Sequence, residues 1–310
     1  MEKVIVVIGP TSVGKTKMGV ALAKKFNGEV ISGDSMQIYK QMDIGTAKVT
    51  EEEKEGIIHH CVDILNPDET YSVHDFQQTV RKKITEITQR GHVPIIVGGT
   101  GLYIKAALYD YQFDEMENDH HAINKKYKDY TNEQLHDHLK SIDEESAKIL
   151  HFNNRRRVLR AIEIYETTGK RKSEMLEEQE HICLYDAYFV GLTLPRDVLY
   201  ERINKRVDVM MENGLKEEME RLYSQGLTRN HQSMKAIGYK EWFDYYDHQI
   251  DLNDVLELIK KHSRQYAKRQ YTWFKNQFDV HWYDVNLENF EQTIEQVTDD
   301  IEKRGCNKIK

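Results

Sequence analysis

The first third of the chain alternates short, continuous apolar runs with stretches of helical periodicity. Apolar runs at Val4–Ile8, Val30–Ser32 and Val93–Val97, and a shorter one within Ile57–Leu65, predict four strands, and a helix is expected at Thr16–Phe26. Because the runs are continuous rather than alternating, the strands should be buried on both faces, as in a parallel sheet covered by helices. The pattern therefore predicts an α/β fold.

Residues 112–181 follow a different pattern, rich in Asn, Asp, His, Lys and Glu, that predicts no strand. Helical periodicity predicts helices at Glu133–Ile142, Glu144–Leu150 and Asn154–Thr168, with Gly169 as the C-cap of the last. A polar helical stretch between two strands is typical of a lobe that leaves a sheet and returns to it. We therefore predict a separate, all-helical insertion domain at residues 112–181.

The chain returns to the sheet with an apolar strand at Ala187–Leu194, which Pro195 ends. Everything after this strand is predicted to be helical. The helices expected there are Val198–Gln225, which can break at Gly214, Asp254–Phe278 and Phe290–Arg304. Residues 1–111 and 182–310 are thus predicted to form one α/β core with a helical C-terminal region.

Composition narrows the class of protein. With 310 residues, of which 39% are hydrophobic and 31% charged, the chain is expected to be globular and long enough for two domains. The net charge of −8 excludes a uniformly basic nucleic-acid coat but allows a local basic face. The three cysteines, Cys61, Cys183 and Cys306, do not have metal-ligand spacing, and no apolar run approaches the roughly 18 residues of a membrane span. A cytoplasmic protein without disulfides is expected.

A glycine-containing loop joins the first strand to the first helix and fits the pattern G-x-x-x-x-G-K-[ST], which is shared with ATP-binding proteins. Its residues are Gly9, Pro10, Thr11, Ser12, Val13, Gly14, Lys15 and Thr16. In such a loop backbone N–H groups surround a phosphate, the lysine adds a positive charge, and the threonine hydroxyl can ligate Mg²⁺. We therefore predict a diphosphate or triphosphate site. The fourth strand ends in Gly98-Gly99-Thr100 without a carboxylate, which disfavours a hydrolytic ATPase.

A carboxylate is expected at the same edge of the sheet. Asp34 follows the second strand, and the carboxyl ends of parallel strands line the ligand crevice of such sheets. A carboxylate that faces a phosphate is a good general base, although Asp34 could equally cap a following helix. Thr100 offers a hydroxyl on a third loop. Three loops at one edge predict a site for transfer between two substrates.

Two segments are basic although the protein is acidic overall. Residues 153–172 carry seven positive and two negative side chains, and residues 258–275 carry six positive and none negative, interleaved with aromatic residues. Basic helices are usually solvated faces, but two of them favour a polyanionic partner. Arg202 and Arg206 share a helix face, from which one could reach a bound phosphate; ion pairs with nearby acids are the alternative.

Together these motifs resemble those of the bacterial tRNA dimethylallyltransferases, also called tRNA isopentenyltransferases. The resemblance covers essentially the whole chain. Besides the Gly9–Thr16 loop it rests on Asp34–Tyr39, Asp43–Lys48, Gly98–Tyr103, Arg156–Glu163, Lys235–Lys240 and Arg264–Trp273. It departs from the family at Ile162, where leucine is usual, and at His120–Lys125, where some members have a basic residue that contacts tRNA.

The resemblance implies transfer of the dimethylallyl group of dimethylallyl diphosphate to the N6 amine of the adenosine 3′ of the anticodon, with release of diphosphate. It implies a P-loop-type parallel sheet, Mg²⁺ at Thr16, and the tRNA anticodon stem-loop as partner; no protein partner and no membrane are implied. The implied catalytic residues are Asp34, Thr100, Lys15 and Arg206. The residues implied to contact tRNA are Asp34, Ser35, Met36, Gln37, Thr100, Arg156, Arg157, Val158, Leu159, Arg160, Lys235, Ala236, Ile237, Gly238, Tyr239 and Lys240.

The residue chemistry agrees with such a reaction. An allylic diphosphate builds negative charge on its leaving group, which a lysine, an arginine and Mg²⁺ can stabilise. A purine amine is a poor nucleophile, so Asp34 is suited to orient it and take its proton. The D-D-x-x-D motif usual in prenyl synthases is missing, since Asp299-Asp300 is followed by Ile-Glu-Lys. The target base must also leave its stack to be reached.

Three other functions compete with this interpretation. A P-loop small-metabolite kinase would use Asp34 as base and ATP as donor, but it leaves the basic segments unexplained. A prenyltransferase acting on free AMP would need no tRNA-binding face, so salt-dependent binding of tRNA distinguishes it. A nucleotide switch without enzymatic activity is the third alternative, and the absence of an acidic residue after the fourth strand counts against it.

Overall fold

The structure, a computed structural model, describes residues 1–111, 120–177 and 181–305, without the side chains of residues 120, 121, 176 and 177. The chain divides into two compact units, Met1–Tyr109 with Cys183–Lys310, and Asp110–Ile182. Cys306 and the sequence between residues 112 and 119 lie outside the described residues. Within the described ranges, no helix has the length and apolar character needed to cross a membrane.

The first unit is built on a parallel sheet whose strands lie in the order β3-β2-β4-β1-β5-β6. The strands are β1 (Lys3–Ile8), β2 (Gly28–Ser32), β3 (His59–His60), β4 (Val93–Gly98), β5 (Asp186–Thr193) and β6 (His281–Asp284). The middle strand β1 pairs with β4 and β5, so that Ile5 lies beside Ile95 and Tyr188. Parallel pairing throughout confirms the predicted α/β fold.

Helices flank the sheet in the first unit, and further helices form the second unit. In chain order they are α1 (Lys15–Lys25), α2 (Glu51–Lys54), α3 (Val73–Gln89), α4 (Gly101–Leu108), α5 (His120–Lys126), α6 (Asn132–Ile142), α7 (Glu144–Ile149), α8 (Arg155–Thr168), α9 (Lys172–Glu177), α10 (Arg196–Glu212), α11 (Leu215–Ser224), α12 (Trp242–Tyr246), α13 (Leu252–Gln277) and α14 (Phe290–Arg304). A 3₁₀ turn lies at Ser233–Lys235. The break expected at Gly214 separates α10 from α11, and this residue has the left-handed φ of 96°.

Side chains of β1 enter two hydrophobic clusters in strict alternation. Val4, Val6 and Ile8 belong to one cluster, whereas Ile5 and Val7 belong to the other. All five are at most 1% exposed, so β1 is buried on both faces. This is the physical origin of the continuous apolar run, because a strand covered by helices on both sides has no solvated face.

One expectation about this unit is wrong. The region after Pro195 is not helical throughout, since β6 adds a strand to the edge of the sheet beside β5. Only Tyr283 is buried in this four-residue strand, so its sequence carries little apolar signal. The strand expected within Ile57–Leu65 is β3, which is only two residues long.

The second unit contains α5 to α9 and has a hydrophobic core of its own. Leu135, Leu139, Val158 and Ile162 are fully buried in it. The buried carboxylate of Asp143 accepts hydrogen bonds from the Ser146 N–H at the start of α7 and from the backbone and hydroxyl of Ser173 in α9. The described part of this unit is helical, as the polar periodic pattern predicted.

Candidate active site

The Gly9–Thr16 loop connects β1 to α1, as its motif requires. Gly9 has a φ of 147° and Gly14 a φ of 103°, values that favour glycine. A Cβ atom on Gly9 would lie 2.5 Å from the Leu192 carbonyl oxygen, so the loop could not keep its path with a larger residue. The loop therefore turns tightly enough for α1 to begin at Lys15.

Lys15 lies against this loop. Its Nζ donates a hydrogen bond to the Pro10 carbonyl at 2.8 Å. Burial and, to a smaller extent, the positive charge of Arg206 lower the pKa of the Lys15 ammonium to about 7, although Asp34 acts in the opposite direction. An ammonium held in this way gains stability from any anion that enters the site.

Ser12 contributes an unusual hydroxyl to the same loop. Its Oγ is buried and has no hydrogen-bond partner among the described residues, and the residue has a φ of 67°. A buried hydroxyl without a partner loses free energy relative to its hydrated state. A phosphate oxygen is a suitable acceptor for it, which supports the predicted phosphate site.

Asp34 follows β2 at the neighbouring loop. Its Oδ1 accepts hydrogen bonds from the N–H groups of Met36 at 2.8 Å and Gln37 at 3.3 Å. Asp34 therefore caps a turn and not a helix. The alternative in which Asp34 caps a following helix is wrong. Among the described residues Asp34 Oδ2 accepts no hydrogen bond, so this oxygen is available as an acceptor for a substrate.

The third loop contains Gly98, Gly99 and Thr100. The Thr100 hydroxyl accepts from the Ser35 N–H at 3.1 Å and donates to Ser35 Oγ at 3.3 Å. Thr100 N–H also donates to the Gly33 carbonyl at 3.2 Å. These bonds tie the third loop to the one that carries Asp34.

Arg202 and Arg206 approach the Gly9–Thr16 loop from α10. Arg206 donates to Thr11 Oγ1 at 3.4 Å, and Arg202 donates to the Ser12 carbonyl at 3.1 Å. Neither arginine forms an ion pair within 4 Å with an acidic residue in the described ranges, which disfavours the alternative of simple helix ion pairs. Burial is the main cause that lowers the pKa of Arg206 below its ordinary value.

Two cavities meet at Asp34, Thr11 and Arg206. The first has a volume of about 550 Å³ and is lined by Gly14, Lys15, Thr16, Gly98, Gly99, Arg202 and Lys205, among others. The second has a volume of about 340 Å³ and is lined by Ser35, Met36, Gly45, Lys235, Ile237, Lys240, Tyr266 and Arg269, among others. The first is thus basic around the glycine-containing loop, and the second connects Asp34 with the Lys235–Lys240 segment.

This chain matches the family model described as IPP transferase over residues 37–277. It is 55% identical to a Bacillus cereus protein named tRNA dimethylallyltransferase, over 92% of this chain and 90% of that protein. A Bacillus anthracis protein of the same name is equally similar, with 91% of its length covered. The chain belongs to the IPP transferase family.

Solved structures of IPP transferases have the same fold. A tRNA isopentenylpyrophosphate transferase of Staphylococcus epidermidis aligns with a TM-score of 0.73 at 48% identity, covering 97% of this chain and 99% of that one. A eukaryotic dimethylallyltransferase acting on tRNA aligns with a TM-score of 0.85 at 33% identity, covering 98% of this chain and 79% of that one. The family resemblance deduced from the motifs is confirmed.

The structure separates the expected tRNA-binding residues of this IPP transferase into exposed and buried ones. In α8, Val158 and Leu159 are 0% and 6% exposed and pack in the core of the second unit, whereas Arg156 and Arg157 are exposed. In the Lys235–Lys240 segment, Tyr239 is fully buried and Ala236 is nearly so. The buried side chains are thus not presented to solvent, whereas those of Arg156 and Arg157 are, and contact of the whole set with tRNA stays a prediction.

Gln270 lies within the Arg264–Trp273 motif, but the sequence analysis did not predict it as a site residue. It lies on α13, where its Oε1 accepts from the Thr11 N–H at 2.9 Å and its Nε2 donates to the Gly99 carbonyl at 2.9 Å. A Cβ on Gly99 would lie 2.2 Å from this Nε2. One buried amide therefore links the first and third loops. One sequence signal could have indicated Gln270. It is a polar residue on the same face of α13 as the core residues Ala267 and Phe274.

The sequence analysis also predicted no role for two buried charged residues, Lys48 and Glu218. The buried Lys48 ammonium donates to the Tyr39 carbonyl at 2.7 Å and to carboxylate oxygens of Asp43 at 2.6 Å and Asp63 at 2.5 Å. Glu218, which is 2% exposed, contacts the same stretch of chain from α11. Both hold the loop that ends in Thr46 and Ala47, which line both cavities.

Proposed function

We propose that this protein transfers the dimethylallyl group of dimethylallyl diphosphate to N6 of the adenosine 3′ of the anticodon in tRNA, releasing diphosphate. Membership in the IPP transferase family makes it a tRNA prenyltransferase. The observation that carries the proposal is the sharing of Thr11, Asp34 and Arg206 by two cavities of different chemistry. A donor with a diphosphate suits the first cavity, and an extruded base suits the second.

The proposed step breaks the C1–O bond of the allylic diphosphate and forms a bond between C1 and N6 of adenosine. The electron pair of the broken bond leaves with the diphosphate, and the N6 proton passes to Asp34. Lys15, Arg206 and the Ser12 hydroxyl lie where they can stabilise the charge that develops on the leaving group. Thr100 acts by holding Ser35, and through it the loop that carries Asp34.

Mg²⁺ fits this site as an ion bound mostly by the substrate. Among the described residues no group of three or more His, Cys, Asp or Glu side chains could hold a metal ion. Mg²⁺ commonly uses one or two protein oxygens together with phosphate oxygens and waters, and Thr16 in the first cavity offers such an oxygen. Bound there, the ion would offset negative charge on the diphosphate.

The proposed tRNA-binding groups are the exposed basic ones. Lys235, Lys240 and Arg269 lie at the second cavity, so they suit the phosphates of the anticodon stem-loop around the extruded base. Arg156 and Arg157 are exposed on α8, where they offer the second unit its own phosphate contacts. A tRNA substrate supports a cytoplasmic location for the reaction.

A transfer assay with labelled dimethylallyl diphosphate, Mg²⁺ and tRNA that lacks the modification tests the proposal. We expect label in the tRNA, and a decrease of about a hundredfold or more in Lys15→Ala, because the lysine acts on the leaving group. Lys24→Ala, an exposed lysine on the same helix, serves as control and should transfer at the wild-type rate. Label on AMP, or phosphate transfer from labelled ATP, would instead support one of the competing functions.

A further inference from the structure

The loop from Asp43 to Ala47 forms part of the wall of the second cavity without belonging to any helix or strand. Gly45, Thr46 and Ala47 line that cavity together with residues of the Lys235–Lys240 segment, which packs against Gly45. Bonds within the loop, such as those from the Ala47 N–H to the Ile44 carbonyl and from the Thr46 hydroxyl to the Met42 carbonyl, fix its local shape, but its position against the rest of the fold depends on side chains from outside it. Whatever holds this loop therefore sets the width of the cavity.

The carboxylate of Glu218 holds it through three consecutive backbone amides. Glu218 Oε2 accepts from the N–H groups of Asp43 at 2.8 Å and Ile44 at 2.9 Å, and Oε1 accepts from that of Gly45 at 3.0 Å. A buried carboxylate is costly unless hydrogen bonds compensate for its lost hydration, and these bonds do so. The three N–H groups that balance the negative charge of Glu218 converge on its carboxylate in this conformation of the loop.

The same carboxylate also binds the Lys235–Lys240 segment, which forms another part of the cavity wall. Tyr239 donates its hydroxyl to Glu218 Oε1 at 2.6 Å, and both side chains are buried. Its ring lies directly on Gly45, where a Cβ would come within 2.5 Å of ring atoms. Glu218 therefore joins the Gly45 wall to the segment that contains Lys235 and Lys240.

We propose that Glu218 is a positioning residue that sets the second cavity for the base of the tRNA and acts less on the first, because Gly45, which it binds directly, lines the second cavity and not the first, whereas Thr46 and Ala47 line both. The inference rests on the proposed function, because it assigns the second cavity to tRNA. It follows from the contacts that loss of the carboxylate would loosen the walls of this cavity. The Gly9–Thr16 loop makes no contact with Glu218 among those described.

Glu218→Gln is the direct test, since the amide retains the volume but turns an NH₂ group toward N–H donors. We expect KM for tRNA to rise about tenfold, as for the loss of hydrogen bonds to a charged group, with kcat and KM for dimethylallyl diphosphate within about twofold. Hydrogen exchange at the amides of residues 43–45 should become faster. The control is Glu217→Gln, an exposed neighbour on α11 that should change neither measurement.

Tyr239→Phe provides a milder variant, which removes one of the four bonds and keeps the buried ring. It should raise KM for tRNA less than Glu218→Gln and in the same selective way, so the inference remains testable if Glu218→Gln does not fold. An equal rise in both KM values, or an unchanged KM for tRNA in Tyr239→Phe, would overturn it. A wild-type protein that fails to prenylate tRNA would contradict the proposed function instead.

Discussion

The two cavities that meet at Asp34 are built in opposite ways. The first is built around one short stretch, the Gly9–Thr16 loop between β1 and α1, to which α10 adds Arg202, Lys205 and Arg206. The second is assembled from segments that lie far apart in the chain, including Gly45–Ala47, Lys235–Lys240 and Tyr266 on α13. A local motif forms one side of the site, and tertiary contacts form the other.

The shapes of the two cavities therefore depend on different interactions. The Gly9–Thr16 loop owes its shape to residues with positive φ within the loop, so most of its geometry is set locally. The second cavity depends on buried bonds such as those of Lys48 with Asp43 and Asp63. Substitutions at the first cavity should therefore affect chemistry and diphosphate binding, whereas those at the second should affect recognition of tRNA.

The largest effect is expected at Asp34, where the two sides meet. Asp34→Asn keeps an oxygen that can accept from the Met36 N–H, so the turn remains, but it removes the proposed proton acceptor. We expect kcat for transfer to tRNA to fall by about a thousandfold, in the range typical for loss of a general base, with small changes in either KM. Single-turnover kinetics would measure it. A loss below about tenfold would mean that another group takes the proton.

A smaller effect, specific to the first cavity, should appear as a pH dependence of diphosphate binding. The pKa of Lys15 is about 7 without an anion, and a bound diphosphate would raise it. Above pH 7 binding must therefore take up a proton, so affinity should fall by up to about tenfold per pH unit. Isothermal titration of an unreactive diphosphate analogue in buffers of different ionisation enthalpy would measure this uptake.

Lys15→Arg is the matched variant for this measurement, because a guanidinium keeps its charge throughout this range. Its binding should not depend on pH between 7 and 9. A wild-type affinity that stays constant over the same range would show that the lysine remains charged at all these pH values.

The smallest effect is expected from exposed lysines at the second cavity. Lys235→Ala together with Lys240→Ala should weaken tRNA binding a few-fold and reduce the slope of log affinity against log salt by about two, if both contact phosphates. KM for dimethylallyl diphosphate should not change. Fluorescence titrations of labelled anticodon stem-loop at several salt concentrations would provide the slope. Lys303→Ala on α14, an exposed lysine paired with Asp300, is the control.

The sequence predicted those parts of the molecule whose signals are local. The Gly9–Thr16 loop, the strand β1 and the helix α14 at Phe290–Arg304 could be deduced because motif, apolar run and periodicity lie within a few residues. Helix α3 also carries a local signal, the capping box of Ser72 and Asp75. The strand β6 could not be deduced, since only its pairing with β5 makes it a strand.

The residues of the candidate site also differ in whether their sequence signal is local. Asp34 and Lys15 belong to recognisable motifs at strand ends, whereas Gln270 and Glu218 lie in amphipathic helices where a polar residue among apolar ones suggests nothing about its partner. Their roles depend on which loop the fold places opposite them. The burial of Val158, Leu159 and Tyr239 likewise depends on packing that a motif does not describe.

The hydrogen bond between Gln270 and the Thr11 amide bears on how this motif is interpreted in other proteins. One of the backbone donors that a phosphate could use is already committed to a side chain from a distant helix. The inventory of donors offered by the loop is therefore a property of the whole fold, and two proteins with identical loop sequences can differ in it. A motif of eight residues specifies that an anion is bound, while the residue opposite the loop determines how many contacts that anion receives.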